Sequence, residues 1–147
     1  MSAGWGTLIL SCHQKPFRDW FEAYLTAFNR ADFAGFAAYY ADDVIFRGQA
    51  AQVVGSQQVV EFYRRVRAYL DEHVELLTFV GAPDRRKIVA EMRTTLVAMR
   101  DWPDMPSGPM RTGDRRSTVV FAIYELADGR FTRIRTARVA GAQAASR

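Results

Sequence analysis

Hydrophobic side chains in the first half of the chain recur at three- and four-residue steps, the spacing of one buried helix face. This pattern predicts a first helix over residues 16–30, opened by Pro16 because the missing N–H of proline costs nothing at the first helical position. Asp32 is a suitable N-cap for a short second helix, and Ser56 for a third helix over residues 57–72. The apolar face of the first helix consists of Phe17, Trp20, Phe21, Tyr24, Leu25 and Phe28.

The pattern changes to alternation in the second half, which is typical of strands. Strands are predicted over residues 74–80, 87–100, 116–126 and 130–139, in addition to a short strand over 44–47. Turn residues at 82–84 and 127–130 separate consecutive strands, so the sheet should be antiparallel. Helices grouped with such a sheet define an α+β fold, in which long curled strands wrap around the helices and form a cone with an open end.

Residues 102–110, between the two longest predicted strands, contain three of the five prolines. Because proline cannot donate to a sheet ladder, this segment should be a stiff connection outside the sheet. Trp102, Met105 and Met110 could fold it over the mouth of a pocket or against a partner subunit. The simpler alternative is an ordinary long hairpin loop.

Length and composition favour one globular domain. The chain has 147 residues, of which 49% are hydrophobic, 24% charged and 13% aromatic, enough to bury a core and to line a cavity with rings. We expect an N-terminal tail over 1–15, the domain over 16–140 and a C-terminal tail over 141–147. The single Cys12 excludes an intrachain disulfide and indicates a reducing, cytoplasmic compartment. With one cysteine and two histidines, no zinc-type ligand spacing occurs.

The charge pattern argues against nucleic acids and membranes as partners. The net charge is +4, and the arginine clusters are explained by solvated strand edges and turns, since no stacking aromatics or nucleic-acid motif accompany them. No segment approaches the roughly 20 apolar residues of a membrane span. The apolar start of the chain lacks the basic flank of a signal peptide.

Three motifs indicate the fold more closely. They are Ala-Asp-Asp-Val-Ile-Phe at 41–46, Gly55-Ser56 leading to Phe-Tyr at 62–63, and Asp-Gly-Arg-Phe at 128–131. With this order of elements the chain resembles the NTF2-like superfamily, which includes SnoaL-like polyketide cyclases, ketosteroid isomerases and limonene-epoxide hydrolases. The resemblance covers about residues 16–139 and implies a cone-shaped, cystatin-like α+β fold, with three N-terminal helices packed on a strongly curved antiparallel sheet. It also implies a homodimer through the outer sheet face and chemistry without a cofactor.

The resemblance to the isomerases of this superfamily implies three catalytic groups: a Tyr on the first helix, a carboxylate base at the position two residues after Phe46, and a protonated acid on the sheet. The matching positions here hold Tyr24, Gly48 and, near the third, Phe121. In the epoxide hydrolase pattern, Arg93 matches the central arginine. The flanking carboxylates are replaced by Thr95 and Thr136, whose hydroxyls cannot act as general bases. The cyclase pattern needs an acid in the last strand, and residues 132–138 contain none.

Strand alternation suggests which polar groups could replace the missing ones. If Phe46 points inward, Glu91, Arg93 and Thr95 either face the pocket or form the outer face where a dimer would lie, since one sequence does not fix the register. The candidate catalytic residues are Tyr24, Glu91 and Arg93. The candidate ligand-binding residues are Phe28, Tyr40, Phe46, Phe62, Thr95, Phe121, Ile134, Thr136 and Arg138. No metal ligands are assigned.

The Asp42-Asp43 pair and His73 are expected to have structural roles and no catalytic role. The Asp42-Asp43 pair should end a helix before the short strand, and His73 should lie at the end of the third helix, near its negative pole. Two functions then remain open. The chain is either a cofactor-independent acid–base enzyme acting on a small, apolar, ring-containing molecule, or a non-catalytic ligand carrier or dimerising interaction module.

Overall fold

The computed structural model describes residues 3–48 and 51–139, with side chains from residue 14 onward. Within these ranges the helices are α1 Ala3–Asn29, α2 Phe33–Ala37 and α3 Ser56–Tyr69. The strands are β1 Tyr40–Arg47, β2 Gln52–Val54, β3 Leu70–Gly81, β4 Lys87–Ala98, β5 Arg115–Ala127 and β6 Arg130–Arg138. The α+β architecture predicted from the hydrophobic pattern is confirmed.

The strands form one curved, open sheet in the order β2-β1-β6-β5-β4-β3. Strands β3 to β6 form an antiparallel meander, as the turns predicted at 82–84 and 127–130 indicate. Strand β1 returns to pair with β6 in parallel, and β2 forms an antiparallel edge on β1. The helices pack on one face of this sheet, which we call the inner face.

The first helix differs from the prediction at its start. Helix α1 begins at Ala3, so Pro16 lies inside it instead of opening it. The prediction relied on the preference of proline for the first helical turn, whereas the backbone here is helical on both sides of Pro16. The division into tail and domain at residue 16 stays a prediction, and the expected C-terminal tail at 141–147 lies outside the described residues.

Helix capping follows the prediction at α2 and departs from it at α3. The backbone N–H of Gly35 donates to Oδ1 of Asp32 at 3.0 Å, which confirms Asp32 as the N-cap. At α3 the N-cap is Gly55, with a positive φ of 97°, and Ser56 is the first helical residue. The helix also ends three residues earlier than predicted, because Leu70 already has extended backbone angles.

The structure corrects the role predicted for Asp42 and Asp43. Both residues lie inside β1 with exposed side chains, next to a register irregularity between Tyr40 and Ile45 in the pairing with β6. They therefore face solvent from an irregular part of β1 and do not end a helix. His73 likewise lies within β3, not at a helix terminus.

The core between α1 and the inner face of the sheet is aromatic. The ring of Tyr124 lies 5.1 Å from that of Phe21 and 4.8 Å from that of Phe131, measured between centroids. All three residues are buried, and aromatic packing of this kind, edge-to-face with Phe21 and tilted with Phe131, adds to the free energy gained by burial. The apolar face predicted for the first helix is thus the face that α1 buries. Among the described residues, none of the helices has the length and apolar character needed to cross a membrane.

Candidate functional site

A cavity of about 180 Å³ opens between α3, the inner face of the sheet and the connection between β4 and β5. We call it the outer cavity. Its apolar wall comes from α3 and β1, through Phe62, Tyr63, Val66 and Phe46. Its polar wall comes from the strands, through Thr94, Thr118 and Thr136. The outer cavity is therefore amphipathic, with ring faces opposite a row of hydroxyls.

A second, smaller cavity of about 70 Å³ lies next to it, towards the core. We call it the deep chamber. The two cavities share Phe46, Tyr63, Glu72 and Thr94 as lining residues, so they meet at these four side chains. The deep chamber adds the phenol groups of Tyr24 and Tyr124. The site is thus a funnel with polar groups at its narrow end.

Glu72 is the one carboxyl group among the described residues that line these cavities. It lies on β3, where Leu70, Glu72 and Val74 alternate with exposed neighbours and face inward. Its Oε2 atom is shielded from solvent and has no hydrogen-bond partner within the described part of the chain. A polar atom in this position is free to bind a ligand or to accept a proton.

The environment of Glu72 favours its neutral form. Burial raises the pKa of Glu72 from 4.5 to about 7, Arg67 acts in the opposite direction, and Asp71 adds a smaller increase. Arg67 is itself occupied, since its guanidinium pairs with Asp71 at 3.1 Å and donates to the carbonyl oxygen of Phe28 at 2.7 Å. Desolvation dominates the balance, so Glu72 has both protonation states available near neutral pH.

Buried phenol groups surround the carboxyl. The hydroxyl groups of Tyr24 and Tyr40 share a hydrogen bond of 2.9 Å. Burial raises the pKa of Tyr24, Tyr40, Tyr63 and Tyr124 well above the usual value for tyrosine, and the Glu72 charge adds to the increase at the first three. All four phenols are consequently neutral at physiological pH and can serve only as hydrogen-bond donors and acceptors.

Two arginines lie at the wide end of the outer cavity. Arg116 of β5 and Arg138 of β6 both line it. Arg116 also donates to the carbonyl oxygens of Ser107 and Pro109, at 3.1 and 3.4 Å. These bonds tie the proline-rich connection to β5. The mouth is therefore positively charged, whereas the narrow end carries the carboxyl.

Gly48, where the resemblance to isomerases would place a carboxylate base, lines the outer cavity. A Cβ atom at Gly48 would lie 2.8 Å from Oγ1 of Thr136 and 3.2 Å from Cε1 of Phe46. The space for a side chain at residue 48 is thus already filled by these neighbours. The packing around residue 48 therefore leaves no space for the carboxylate base that the resemblance implies there.

Most of the predicted ligand-binding residues lie in or beside the funnel. Phe28 and Ile134 line the deep chamber, Phe46 lines both cavities, and Phe62, Thr136 and Arg138 line the outer cavity. Tyr24, a predicted catalytic residue, also lines the deep chamber. Tyr40 is buried and reaches the funnel only through its hydrogen bond with Tyr24. Whether any of these residues binds a ligand stays a prediction.

The other predicted residues face away from the funnel. Glu91 accepts a hydrogen bond from Thr78 at 2.8 Å, and Arg93 pairs with Glu75 at 3.0 Å on the exposed side of the sheet. Thr95 follows them on the same face, and Phe121, opposite Glu91, is 50% exposed. The inward positions of β4 are Met92, Thr94 and Leu96. The inward alternative for Glu91, Arg93 and Thr95 is therefore wrong, because the register places the even-numbered residues of β4 inside. The prediction that Phe121 lines the pocket is wrong as well, because the odd-numbered residues of β5 that pair with them lie on the same outer face.

The proline-rich connection folds over the mouth of the outer cavity, where Met105 and Ser107 contribute to the lining. Its base is closed by hydrogen bonds between the backbones of Trp102 and Met110. The ring of Trp102 stacks on Tyr69 at a centroid distance of 4.7 Å. This arrangement is the first of the alternatives predicted for the segment, and the connection is a structured wall of the site.

Sequence reasoning missed Glu72 because it extended the third helix as far as that residue. The signal was nevertheless present. If the strand is started at Leu70, the alternation of Leu70, Glu72, Val74 and Leu76 places a carboxyl in an otherwise apolar inward series. Among the described residues, no group of three or more His, Cys, Asp or Glu side chains is placed to hold a metal ion.

The architecture and the funnel together define an NTF2-like fold, and comparison with known proteins gives the family. The sequence model of the SnoaL-like domain matches residues 21–134, so the chain belongs to that family. No match was found among curated proteins.

Solved structures share the fold at low sequence identity. A provisionally assigned polyketide cyclase from Xanthomonas campestris pv. campestris is 21% identical, with a TM-score of 0.73 over 84% of this chain and 90% of its own. A SnoaL-like polyketide cyclase from Agrobacterium tumefaciens is 17% identical, with a TM-score of 0.67 over 85% and 92%. An LEH-like epoxide hydrolase from M. tuberculosis is 19% identical, with a TM-score of 0.65 over 81% and 79%.

Proposed function

We propose that this protein is a cofactor-independent enzyme that performs acid–base chemistry on a small, largely apolar, ring-containing molecule bound in the outer cavity. The observation that carries the proposal is Glu72. Its carboxyl lines both cavities, its Oε2 atom has no partner among the described residues, and burial raises its pKa to about 7. A general base is most effective when its pKa lies near the operating pH.

The geometry supports proton transfer at the narrow end of the funnel. Ionised Glu72 would take a proton from an acidic C–H bond next to a carbonyl group, and the electron pair left behind would move onto the carbonyl oxygen. Neutral Glu72 would then return the proton to the far carbon of a conjugated C=C bond in the same molecule, while the electron pair on the oxygen re-forms the carbonyl group and the double bond shifts. When Tyr40 donates the hydrogen of their mutual bond, the hydroxyl hydrogen of Tyr24, which lines the deep chamber, is left to donate to the developing oxyanion.

The dimensions of the site limit the substrate. An engineered protein cavity of about 150 Å³ holds one benzene molecule, and the outer cavity has about 180 Å³. One ring therefore fits against Phe62 and Tyr63, while a larger molecule would extend past Met105 into solvent. This size suits proton chemistry on one ring of a substrate. The solved structures with this fold include proteins described as a polyketide cyclase and an epoxide hydrolase.

The test is substitution of Glu72 by glutamine, which keeps the shape of the side chain and removes its proton-accepting form. With a substrate found by screening cyclic ketones and epoxides, turnover by E72Q should fall about 10²- to 10⁴-fold, with ligand binding retained. The matched control is E75Q on the same strand, whose side chain is paired with Arg93 on the exposed face and should leave turnover unchanged. Equal turnover by E72Q and the unmodified protein would overturn the proposal.

A ligand carrier without turnover is the second candidate, and the observation in its favour is the packing around Gly48. Thr136 and Phe46 fill the space where a side chain at this position would lie, and an aromatic cavity without that base still binds apolar molecules. For a carrier, an apolar ligand raises the melting temperature of both the unmodified protein and E72Q, and product never forms. For the enzyme, product forms only with Glu72 present.

We also propose that two copies of the chain associate through the outer face of the sheet. Phe121 and Val89 are 50% and 41% exposed there, beside the Arg93–Glu75 pair, so apolar and charged groups alternate as in many protein interfaces. Light scattering coupled to size-exclusion chromatography should give the mass of a dimer. F121E should shift the mass to that of a monomer, and a monomeric unmodified protein would exclude this arrangement.

A further inference from the structure

The charges lining the outer cavity are separated along its length. Glu72 lies at the narrow end and faces both cavities, whereas Arg116 and Arg138 lie in the wall of the outer cavity alone. Among the described lining residues there is no other charged side chain. A ligand in this funnel therefore meets one carboxyl group towards the deep chamber and two cations in the wall of the outer cavity.

The two arginines project from neighbouring strands towards the same space. Arg116, Thr118 and Val120 share the inward face of β5, and Val120 is the register partner of Arg138 on β6. Arg116 and Val120 are four positions apart, about 13 Å along the strand. Thr118 lies between them, so its hydroxyl and the two guanidinium groups border one stretch of the wall.

The two guanidinium groups are in different states. Arg116 is half-buried and held in place by its bonds to Ser107 and Pro109, so its orientation is fixed before a ligand arrives. Arg138 is exposed and forms no salt bridge with any described carboxylate. A fixed cation and a second, available one in the same wall suit a planar anion, because guanidinium groups bind carboxylates through paired N–H donors.

From this geometry we infer that the ligand is a ring-containing carboxylic acid, bound with its ring against Phe62 and Tyr63 and its carboxylate against Arg116 and Arg138. The inference rests on the proposed function, since it names the class of molecule that Glu72 acts on. It assigns Arg138 to substrate recognition and Arg116 to the placement of both the carboxylate and the proline-rich connection.

Paired probes that differ only in charge test this inference. Benzoate and 1-naphthoate are compared with benzamide and 1-naphthamide by isothermal titration calorimetry at constant pH, in about 20 mM and 300 mM NaCl. The acids should bind about tenfold or more tightly than their amides at low salt, since a hydrogen bond to a charged group contributes more than one to a neutral group. High salt should weaken the binding of the acids and leave that of the amides nearly unchanged.

Substitution of Arg138 identifies the residue responsible. R138Q should weaken the binding of the acids roughly tenfold and leave the binding of the amides unchanged. R138K, which retains the charge without the planar fork, should bind the acids with an affinity between those of R138Q and the unmodified protein. The matched control is R135Q, an equal loss of charge on the exposed face of the same strand. It should change the binding of neither the acids nor the amides. All four proteins should have the same melting temperature without ligand.

The outcomes separate this inference from the proposed function. Equal affinity for acids and amides, no binding of either acid, or unchanged acid binding by R138Q would each overturn the carboxylate inference, while Glu72-dependent turnover of a neutral substrate would still support the enzyme. Acid binding that is intact in E72Q and weakened in R138Q would support the inference, even in a protein that turns over nothing.

Discussion

The hydroxyl oxygen of Thr136 lies 2.8 Å from the position that a Cβ atom would take at Gly48. Thr136 belongs to β6 and Gly48 directly follows β1, and they fill the part of the cavity wall where the resemblance to isomerases would place a base. The same wall in this protein is completed by a threonine hydroxyl. The carboxyl group of the site is supplied instead from β3, by Glu72.

This contact makes the effect of a side chain at residue 48 predictable. G48D should lower the free energy of unfolding by about 1–3 kcal/mol, because its Cβ would overlap Thr136 and crowd Phe46. Adding T136A should restore part of the loss, since it removes the closest atom. Urea unfolding of both variants measures the effect, and equal stability of G48D and the double variant would show that Thr136 is not the obstacle.

Glu72 should control the pH dependence of stability. Because burial raises its pKa from 4.5 to about 7, the folded protein keeps a proton that the unfolded chain releases between these two values. The stabilisation by neutral Glu72 is present in full below pH 4.5 and is lost as the pH rises through 7. Between pH 5 and 8 the unmodified protein should therefore lose about 2–3 kcal/mol relative to E72Q, at 1.36 kcal/mol per pH unit.

Urea unfolding at several pH values measures this difference. E72Q should be the more stable protein at pH 8, although its turnover is reduced, as expected where a functional group is buried at a cost in stability. E75Q is the control, because its exposed pair with Arg93 contributes less than about 1 kcal/mol. Parallel pH curves for E72Q and the unmodified protein would contradict the shifted pKa.

The hydrogen bond between Tyr24 and Tyr40 should behave as a coupled pair. Y24F or Y40F alone leaves one buried hydroxyl without its partner at 2.9 Å and should lower the free energy of unfolding by about 1–3 kcal/mol. The double variant Y24F/Y40F should cost less than the sum of the two, since no unpaired hydroxyl remains. A double-mutant cycle in guanidinium chloride gives the coupling, and additive effects would argue against the bond.

The wall formed by the proline-rich connection should depend on Trp102. W102A removes the stack on Tyr69 at 4.7 Å and part of the small cluster around Leu70 and Met110, so it should lower the free energy of unfolding by about 2–4 kcal/mol. It should also weaken ligand binding, because Met105 and Ser107 are carried by the same segment. P103A, at an exposed position, is the control. Unchanged ligand affinity in W102A would show that the proline-rich connection does not contribute to ligand binding.

The local pattern of side chains was sufficient to predict the fold class and most of the elements, although not β2 or the exact ends of α1 and α3. The helical spacing from Phe17 to Phe28 identified the buried face of α1, the alternation in the second half identified β3 to β6, and Asp32 identified the start of α2. These features depend on residues close together in the sequence, whose spacing matches the period of a helix or a strand. The aromatic composition likewise favoured a lined cavity.

The tertiary structure decided which residues face that cavity. Glu91 and Glu72 both lie in strands with alternating patterns, and only the register of β4 against β3 and β5 places the first outside and the second inside. A shift of one residue would exchange the two faces, and no local signal fixes that shift. The exact end of α3 has the same effect, since moving it from residue 72 to Tyr69 turns Glu72 from a helix terminus into the buried carboxyl of the site.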